Sequence, residues 1–230
     1  MTTLQNTAAQ LRCPTGEQAL DTAQKMNRTH GPLIRQCIEL MRIAPGDRVL
    51  ETGTGNGAFA HEIVARQEHV FYTGLDWSTD MIVQARENQA ALIESGFAEF
   101  TVADSASIPF QTHGFDKALT VHTIYFWDDP RVHLAELARV LKPGGLLCLA
   151  FADREFAEKI AFGRMGFTLY AAQEAAALLE TCGFVVQDVQ RVTETAQTED
   201  GETTAKLLNI ILACTRSDAY VGNTPSGEAD

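Results

Sequence analysis

Three glycines fall within five positions of "VLETGTGNGAFA", the stretch from Val49 to Ala60. Glycine loses more backbone entropy on folding than any other residue, so a cluster marks a place where the chain turns sharply or must be closely approached. Glu51 stands two residues before the first glycine, at the end of an apolar run. Two more acids close apolar runs of their own, Asp76 in "HVFYTGLD" and Asp104 in "FAEFTVAD", and His122 follows "FDKALTV". A glycine loop with carboxylates at neighbouring strand ends suits a nucleotide-like ligand. The ligand can touch main-chain amides where side chains are missing, and carboxylates accept from hydroxyl and amino groups.

Such residues must be carried to one place by the elements around them. "DRVLET" reads as a short buried strand, followed by the glycines and a helix over "NGAFAHEIVARQ" with Phe59, Ala60, Ile63 and Val64 inward. "HVFYTGLD" is a second strand. "STDMIVQARENQAALIES" is a helix capped by Ser78, with Met81 and Ile82 inward. "FAEFTVAD" and "FDKALTVH" are the third and fourth strands. "DPRVHLAELARVL" is a helix ended by "KPGG", and "LLCLAFA" is a fifth strand. Upstream, "GPLIRQCIELMRI" has the spacing of an amphipathic helix. Downstream, "AAQEAAALLETCGF" reads as a helix stopped by Gly183. "VVQDVQRVTETAQ" and "AKLLNIILACTR" read as an antiparallel pair joined by the turn "TEDGET". Strands alternating with helices imply a parallel sheet covered on both faces, with ligands at the carboxyl ends of its strands. Residues 1–29 are expected as a mobile segment or lid, 30–216 as the domain, and 217–230 as a disordered tail.

The glycine loop alone leaves two cofactors open. Gly53, Gly55 and Ala58 satisfy the dinucleotide pattern G-x-G-x-x-A, and Asp76 stands where a ribose-binding acid of an NAD enzyme would stand. Three features favour S-adenosylmethionine. A fixed negative charge at Glu51 disfavours a pyrophosphate and suits ammonium and sulfonium groups. Asp104 can accept from an adenine amino group. The chain closes on two antiparallel strands rather than on a second nucleotide-binding half.

The sequence resembles the class I S-adenosylmethionine-dependent methyltransferases, in the small-molecule branch that includes the ubiquinone/menaquinone C-methyltransferases. The resemblance covers about residues 26–152. It rests on "PGDRVLETGTGNG", "GLDWSTDMI", "VADSASIPF", "FDKALTVHTIYFWDDP" and "ELARVLKPGG", in that order. It implies a Rossmann-like seven-stranded sheet in the order 3-2-1-4-5-7-6, with strand 7 antiparallel and helices on both faces. It further implies that Glu51 and the backbone of Thr52, Gly53, Thr54 and Gly55 hold the methionine part. Asp76 would accept the ribose hydroxyls, Trp77 would pack on adenine, Asp104 would bind the adenine amino group, and Ser105 would face the ring. His122 falls near the methionyl end, where the family is variable. It is the candidate base, with Tyr125 as a second catalytic candidate.

The implied reaction is transfer of a methyl group to a small, partly apolar acceptor. Two other readings are an NAD(P)-dependent oxidoreductase and a non-catalytic protein that binds S-adenosylmethionine. The acceptor is expected between residues near Met26 to His30 and a lid over 153–170, whose Phe156, Phe162 and Phe167 would cover it. The remaining histidines, His61, His69, His113 and His133, are expected to be solvated.

The chain has 230 residues, a net charge of -12, and no cluster of Lys and Arg, which argues against nucleic acid as a partner. Five dispersed cysteines without Cys-x-x-Cys spacing suggest reduced thiols in a cytoplasmic protein. "MTTLQNTAAQ" is not a signal peptide, no apolar run is long enough to span a membrane, and no His and carboxylate spacing suggests a metal.

Overall fold

The computed structural model describes residues 3–197 and 203–217. Most of the expected turn "TEDGET" and of the expected tail lies outside these residues. The chain begins with α1 (Thr3–Arg12) and α2 (Ala19–Leu40). Then β1 (Arg48–Thr52), α3 (Ala60–Val64), β2 (Phe71–Asp76), α4 (Thr79–Asn88), α5 (Ala90–Glu94) and β3 (Ala98–Val102) follow. The second half contains β4 (Phe115–Val121), α6 (Pro130–Val140), β5 (Leu141–Ala152), α7 (Arg154–Ala157), α8 (Ala172–Thr181), β6 (Phe184–Gln197) and β7 (Thr203–Thr215).

The seven strands form one sheet in the order β3-β2-β1-β4-β5-β7-β6. Pairing is parallel as far as β5, and β7 runs antiparallel to both of its neighbours. This is the order and direction that the resemblance implies. Leu147 to Phe151 are all fully buried. Successive strand side chains point to opposite faces, so both faces are covered there. Right-handed crossovers from β1 outward through β2 to β3, and from β4 outward to β5, set their helices on opposite faces.

The chain reverses its direction of progress across the sheet between β1 and β4, which are paired neighbours. A crevice opens above that switch point, at the carboxyl ends of the strands. In register, Thr52 lies beside Leu75 of β2 and Thr120 of β4, so Asp76 and His122 both flank the glycine loop.

Local sequence signals failed in three places. The pair Gly31–Pro32 marks a helix start by sequence, but α2 begins at Ala19 and runs through it. Ala19 and Ala23 bury against Met81, and that packing outweighs the missing proline N–H. The helix expected over Ser78–Ser95 breaks at Gln89 into α4 and α5. Its polar side chains turn toward the loop instead: Asn88 Nδ2 donates to Asn56 O at 3.0 Å and Gln89 Nε2 to Gly57 O at 2.9 Å. The stretch 153–170 forms α7 and a 3-10 turn that pack against β7 and the turn after β4. Ser78 caps α4 as expected, accepting from Met81 N at 3.2 Å.

Gly57 joins the loop to the sheet. Its φ is +67°, and a Cβ there would lie 2.8 Å from Phe100 Cε1 and 3.1 Å from Ala85 Cβ. Left-handed backbone costs a side-chain-bearing residue about 1–2 kcal/mol, and overpacking about 1–3 kcal/mol. Gly57→Ala should therefore destabilise the fold by about 2–5 kcal/mol in a denaturant titration. An unchanged midpoint would show that the contact is not tight.

Candidate functional site

One cavity lies over the crevice. Its wall includes Glu51, Gly53, Thr54, Gly55, Asp76, Trp77, Asp104, Ser105 and His122. Nine of the eleven candidate residues thus meet in one place. The other two do not line it. Thr52 is buried within β1, and its carbonyl lies 3.4 Å from Thr120 Oγ1. Tyr125 is buried behind His122, and its hydroxyl is bonded to the backbone of Ala152. The expectation that Tyr125 faces the site as a catalytic group is corrected: β4 ends in a tight turn that directs its ring into the core.

The loop is fixed to β2. Gly53 N and Thr54 N both donate to Leu75 O, at 2.7 and 3.1 Å. A Cβ at Gly53 would lie 2.5 Å from Thr123 Cγ2, so the loop and the turn after β4 meet at van der Waals contact. At Gly55 a Cβ would meet nothing within 4 Å. The space over Gly55 is open, as a backbone-contacting ligand requires. Gly55 N donates to Asp76 Oδ2 and Ser78 N to Asp76 Oδ1, each at 2.9 Å. Both oxygens are held in place, and each keeps a lone pair for a ligand hydroxyl. Burial raises the Asp76 pKa despite these bonds.

Glu51 is only 5% exposed. Tyr72 Oη donates to its Oε2 at 2.5 Å, and Thr54 Oγ1 lies 3.5 Å from the same oxygen. Burial still pushes its pKa up to about 7 against the lowering effect of these two bonds. Among the described residues no Lys, Arg or His forms an ion pair with it. A buried carboxylate that has hydroxyl partners and no cationic one suits a cationic group and is a poor place for a pyrophosphate.

The opposite end of the cavity is aromatic. Trp77 is 45% exposed, with the Arg12 guanidinium 5.3 Å from its ring centroid. Asp104 Oδ1 accepts from Ala106 N at 2.8 Å, which orients the carboxylate. His133 is not solvated as expected. Its ring stacks on Trp127 with centroids 4.8 Å apart, and its Nδ1 lies 2.7 Å from Ser105 Oγ. Its position facing inward on α6, one residue before Leu134, was the available signal.

The N-terminal segment supplies a further part of the wall, through Leu11, Arg12, Pro14, Met26, Asn27 and His30. The expected lid does not. No residue of 153–170 lines the cavity. Phe162 and Phe167 instead pack with Tyr125 and Phe126 in an aromatic cluster, and Phe156 is buried. Apolar side chains without a helical period reach the core here rather than the ligand edge. Asn27 lies in the stretch Met26 to His30 expected beside the acceptor, whereas Asn56 and its bond to Asn27 were missed by sequence reasoning. Asn27 Nδ2 donates to Asn56 Oδ1 at 3.0 Å, joining α2 to the glycine loop. No group of three or more His, Cys, Asp or Glu suited to a metal occurs among the described residues. No helix among them is long and apolar enough to cross a membrane.

Residues 50–149 match the family model described as a methyltransferase domain. That stretch is similar to a methyltransferase domain. It resembles the class I S-adenosylmethionine-dependent enzymes, including those of ubiquinone and menaquinone biosynthesis. An O-methyltransferase of Pyrenophora dematioidea is 34% identical over 115 residues, which cover 50% of this chain and 43% of that protein. The ubiquinone/menaquinone biosynthesis C-methyltransferase UbiE of Geotalea daltonii is 35% identical over 124 residues, 53% of each chain. This chain thus spans about half the length of the curated relatives it matches. Among solved structures, the [4+2]-cyclase SpnF shares the fold, with a TM-score of 0.67, 21% identity and 81% of each chain covered. The match runs from within β1 to within β5, so it includes the loop, Asp76, Asp104 and His122.

The raised pKa of Glu51 makes the stability of the protein depend on pH. A carboxyl whose folded pKa lies above its unfolded value favours the folded state while protonated, and that advantage is lost as pH rises from about 4.5 to about 7. Thermal stability of the ligand-free protein should fall across that window, by about 3 kcal/mol at most. Glu51→Gln should flatten this slope, and an equal slope in both proteins would assign it to other groups.

Proposed function

We propose that the protein is an S-adenosylmethionine-dependent methyltransferase acting on a small, partly apolar acceptor. The observation that carries this reading is the buried Glu51 carboxylate beside Gly53, which suits a cationic methionyl group. The residues present fit the cofactor along its length. Glu51 and the loop from Gly53 to Gly55 would hold the methionyl part, Asp76 the ribose, and Trp77, Asp104 and Ser105 the adenine. When bound, the cofactor supplies a methyl group on a sulfonium that is already activated for displacement.

The chain's own contribution is then alignment and exclusion of water. The acceptor end is bounded by Met26, Asn27, His30, Phe59, His122 and Phe126, a surface that mixes apolar and polar side chains. This composition supports a small acceptor rather than a polymer. Relatives named O-methyltransferase and C-methyltransferase leave both oxygen and carbon acceptors within reach. The free cysteines and the lack of a basic cluster support a cytoplasmic enzyme that does not act on nucleic acid. The SpnF likeness shows that the fold by itself does not fix the reaction.

Calorimetry separates the readings. S-adenosylhomocysteine should bind and NADH should not, whereas the reverse would make the protein an oxidoreductase. Binding of S-adenosylhomocysteine without turnover of any acceptor would leave a cofactor-binding protein. Asp76→Ala should weaken S-adenosylhomocysteine binding at least tenfold, since hydrogen bonds to a charged group contribute about 1.5–3 kcal/mol each. An unchanged dissociation constant with an intact fold would reduce Asp76 to a structural cap.

A further inference from the structure

The inner end of the cavity holds one buried polar atom with no protein partner. His122 Nε2 is sealed from solvent and bonded to nothing, although the residue lines the cavity together with Asn27 and His30. A buried nitrogen left unpaired is costly, and at a site it marks a contact reserved for a ligand. Whether it offers a proton or a lone pair depends on the imidazole's other nitrogen.

Nδ1 lies 3.1 Å from the Tyr125 hydroxyl. That hydroxyl already accepts a hydrogen bond from Ala152 N–H. Its own proton has two acceptors within reach, His122 Nδ1 at 3.1 Å and the Ala152 carbonyl at 3.4 Å. The nearer contact is the better hydrogen bond. Once Nδ1 accepts, the single proton of a neutral imidazole must sit on Nε2.

The surroundings keep the ring neutral. His30, on α2, has its ring centroid 4.1 Å away. The Lys206 ammonium, on β7, donates to Thr29 O at 3.2 Å and pairs with Glu194 of β6 at 2.7 Å. Burial, with His30 and Lys206 adding to it, holds His122 well below the ordinary imidazole range. Burial and Lys206 likewise push His30 down to about 4, which makes it a weak base.

We propose that His122 presents an Nε2–H donor, set by Tyr125, to an oxygen of the methyl acceptor that is already ionised when it binds. The acceptor is then a carboxylate, an acidic enol or an electron-poor phenol. The acceptor class rests on the methyl-transfer reading, while the state of the imidazole does not. In the transfer, a lone pair of the acceptor oxyanion forms the new C–O bond. The C–S bond breaks with its electron pair going to sulfur, the two opposite charges cancel, and no proton is released. A neutral alcohol would have to lose a proton and finds no lone pair on His122 to take it. A site with a buried donor also rejects analogues that lack the matching oxygen. Tyr125 acts through His122 and is a positioning residue.

The test is nitrogen-15 NMR of histidine-labelled protein bound to S-adenosylhomocysteine. His122 should appear as the Nε2–H form, without titrating, from pH 5.5 to 8. Tyr125→Phe should convert that single form to a mixture with Nδ1–H. An Nδ1–H form or a titration of His122 in the wild-type protein would overturn the proposal, and so would an unchanged form in a folded Tyr125→Phe. If that variant does not fold, the wild-type spectrum decides. Benzoate or 4-nitrophenolate added to the complex should shift the Nε2–H resonance, and no shift from either overturns the acceptor class. Failure to bind S-adenosylhomocysteine would instead overturn the methyl-transfer reading, with the imidazole still readable in the free protein.

Discussion

An ionised carboxylate at Glu51 is expensive where it stands, and much of the structure is arranged around that cost. β1 delivers it to the carboxyl edge of the sheet, and its register with β2 and β4 fixes its height. Tyr72, two residues before Gly74 on β2, reaches across with its hydroxyl to share the load. Burial in turn raises the pKa of that phenol. The protein thus keeps a partly satisfied acid in a dry place, an arrangement that the proposed cationic methionyl group would complete. The glycine loop can then lie close to that ligand because no side chain stands between them.

The far side of the cavity is built by a separate device. α1 and α2 lie across the strand ends and are tied to cofactor-side elements by short polar contacts. Ser78 Oγ donates to Pro14 O at 2.5 Å, Gly16 N donates to Asp80 Oδ2 at 2.7 Å, and Asn27 bonds to Asn56. The exposed pair Arg12–Asp128 adds little stability in water, though it places a guanidinium over Trp77. These contacts all reach residues within or just beyond the loops that carry Gly55 and Asp76, or the turn before α6. The N-terminal segment is therefore part of the site's wall rather than an appendage to the sheet.

The sheet was legible because its signals are local and repeated. Each of the first five strands is built on a short apolar run with an acid or a histidine at or beside its carboxyl end, and each is bounded by glycine, proline or a cap. The glycine loop, Asp76 and Asp104 were legible for the same reason. What escaped was set by packing between distant parts of the chain. Nothing local to Asn56 foretells that Asn27 will meet it. The aromatic side chains at 162 and 167 carry no sign of whether they turn to a ligand or to Phe126. Tyr125 sits three residues from His122 in both readings, and only the fold shows that it stands behind the imidazole instead of beside it.

His122 itself sits at φ +58°, with its N–H donating to Ala150 O at 2.8 Å. Left-handed backbone is open to glycine, asparagine and aspartate at small cost and is hard on β-branched residues. The range of side chains that evolution can try at this position is thus filtered by the main chain before any catalytic requirement acts. Divergence toward new acceptors would have to pass through that narrow alphabet, or else reshape the end of β4.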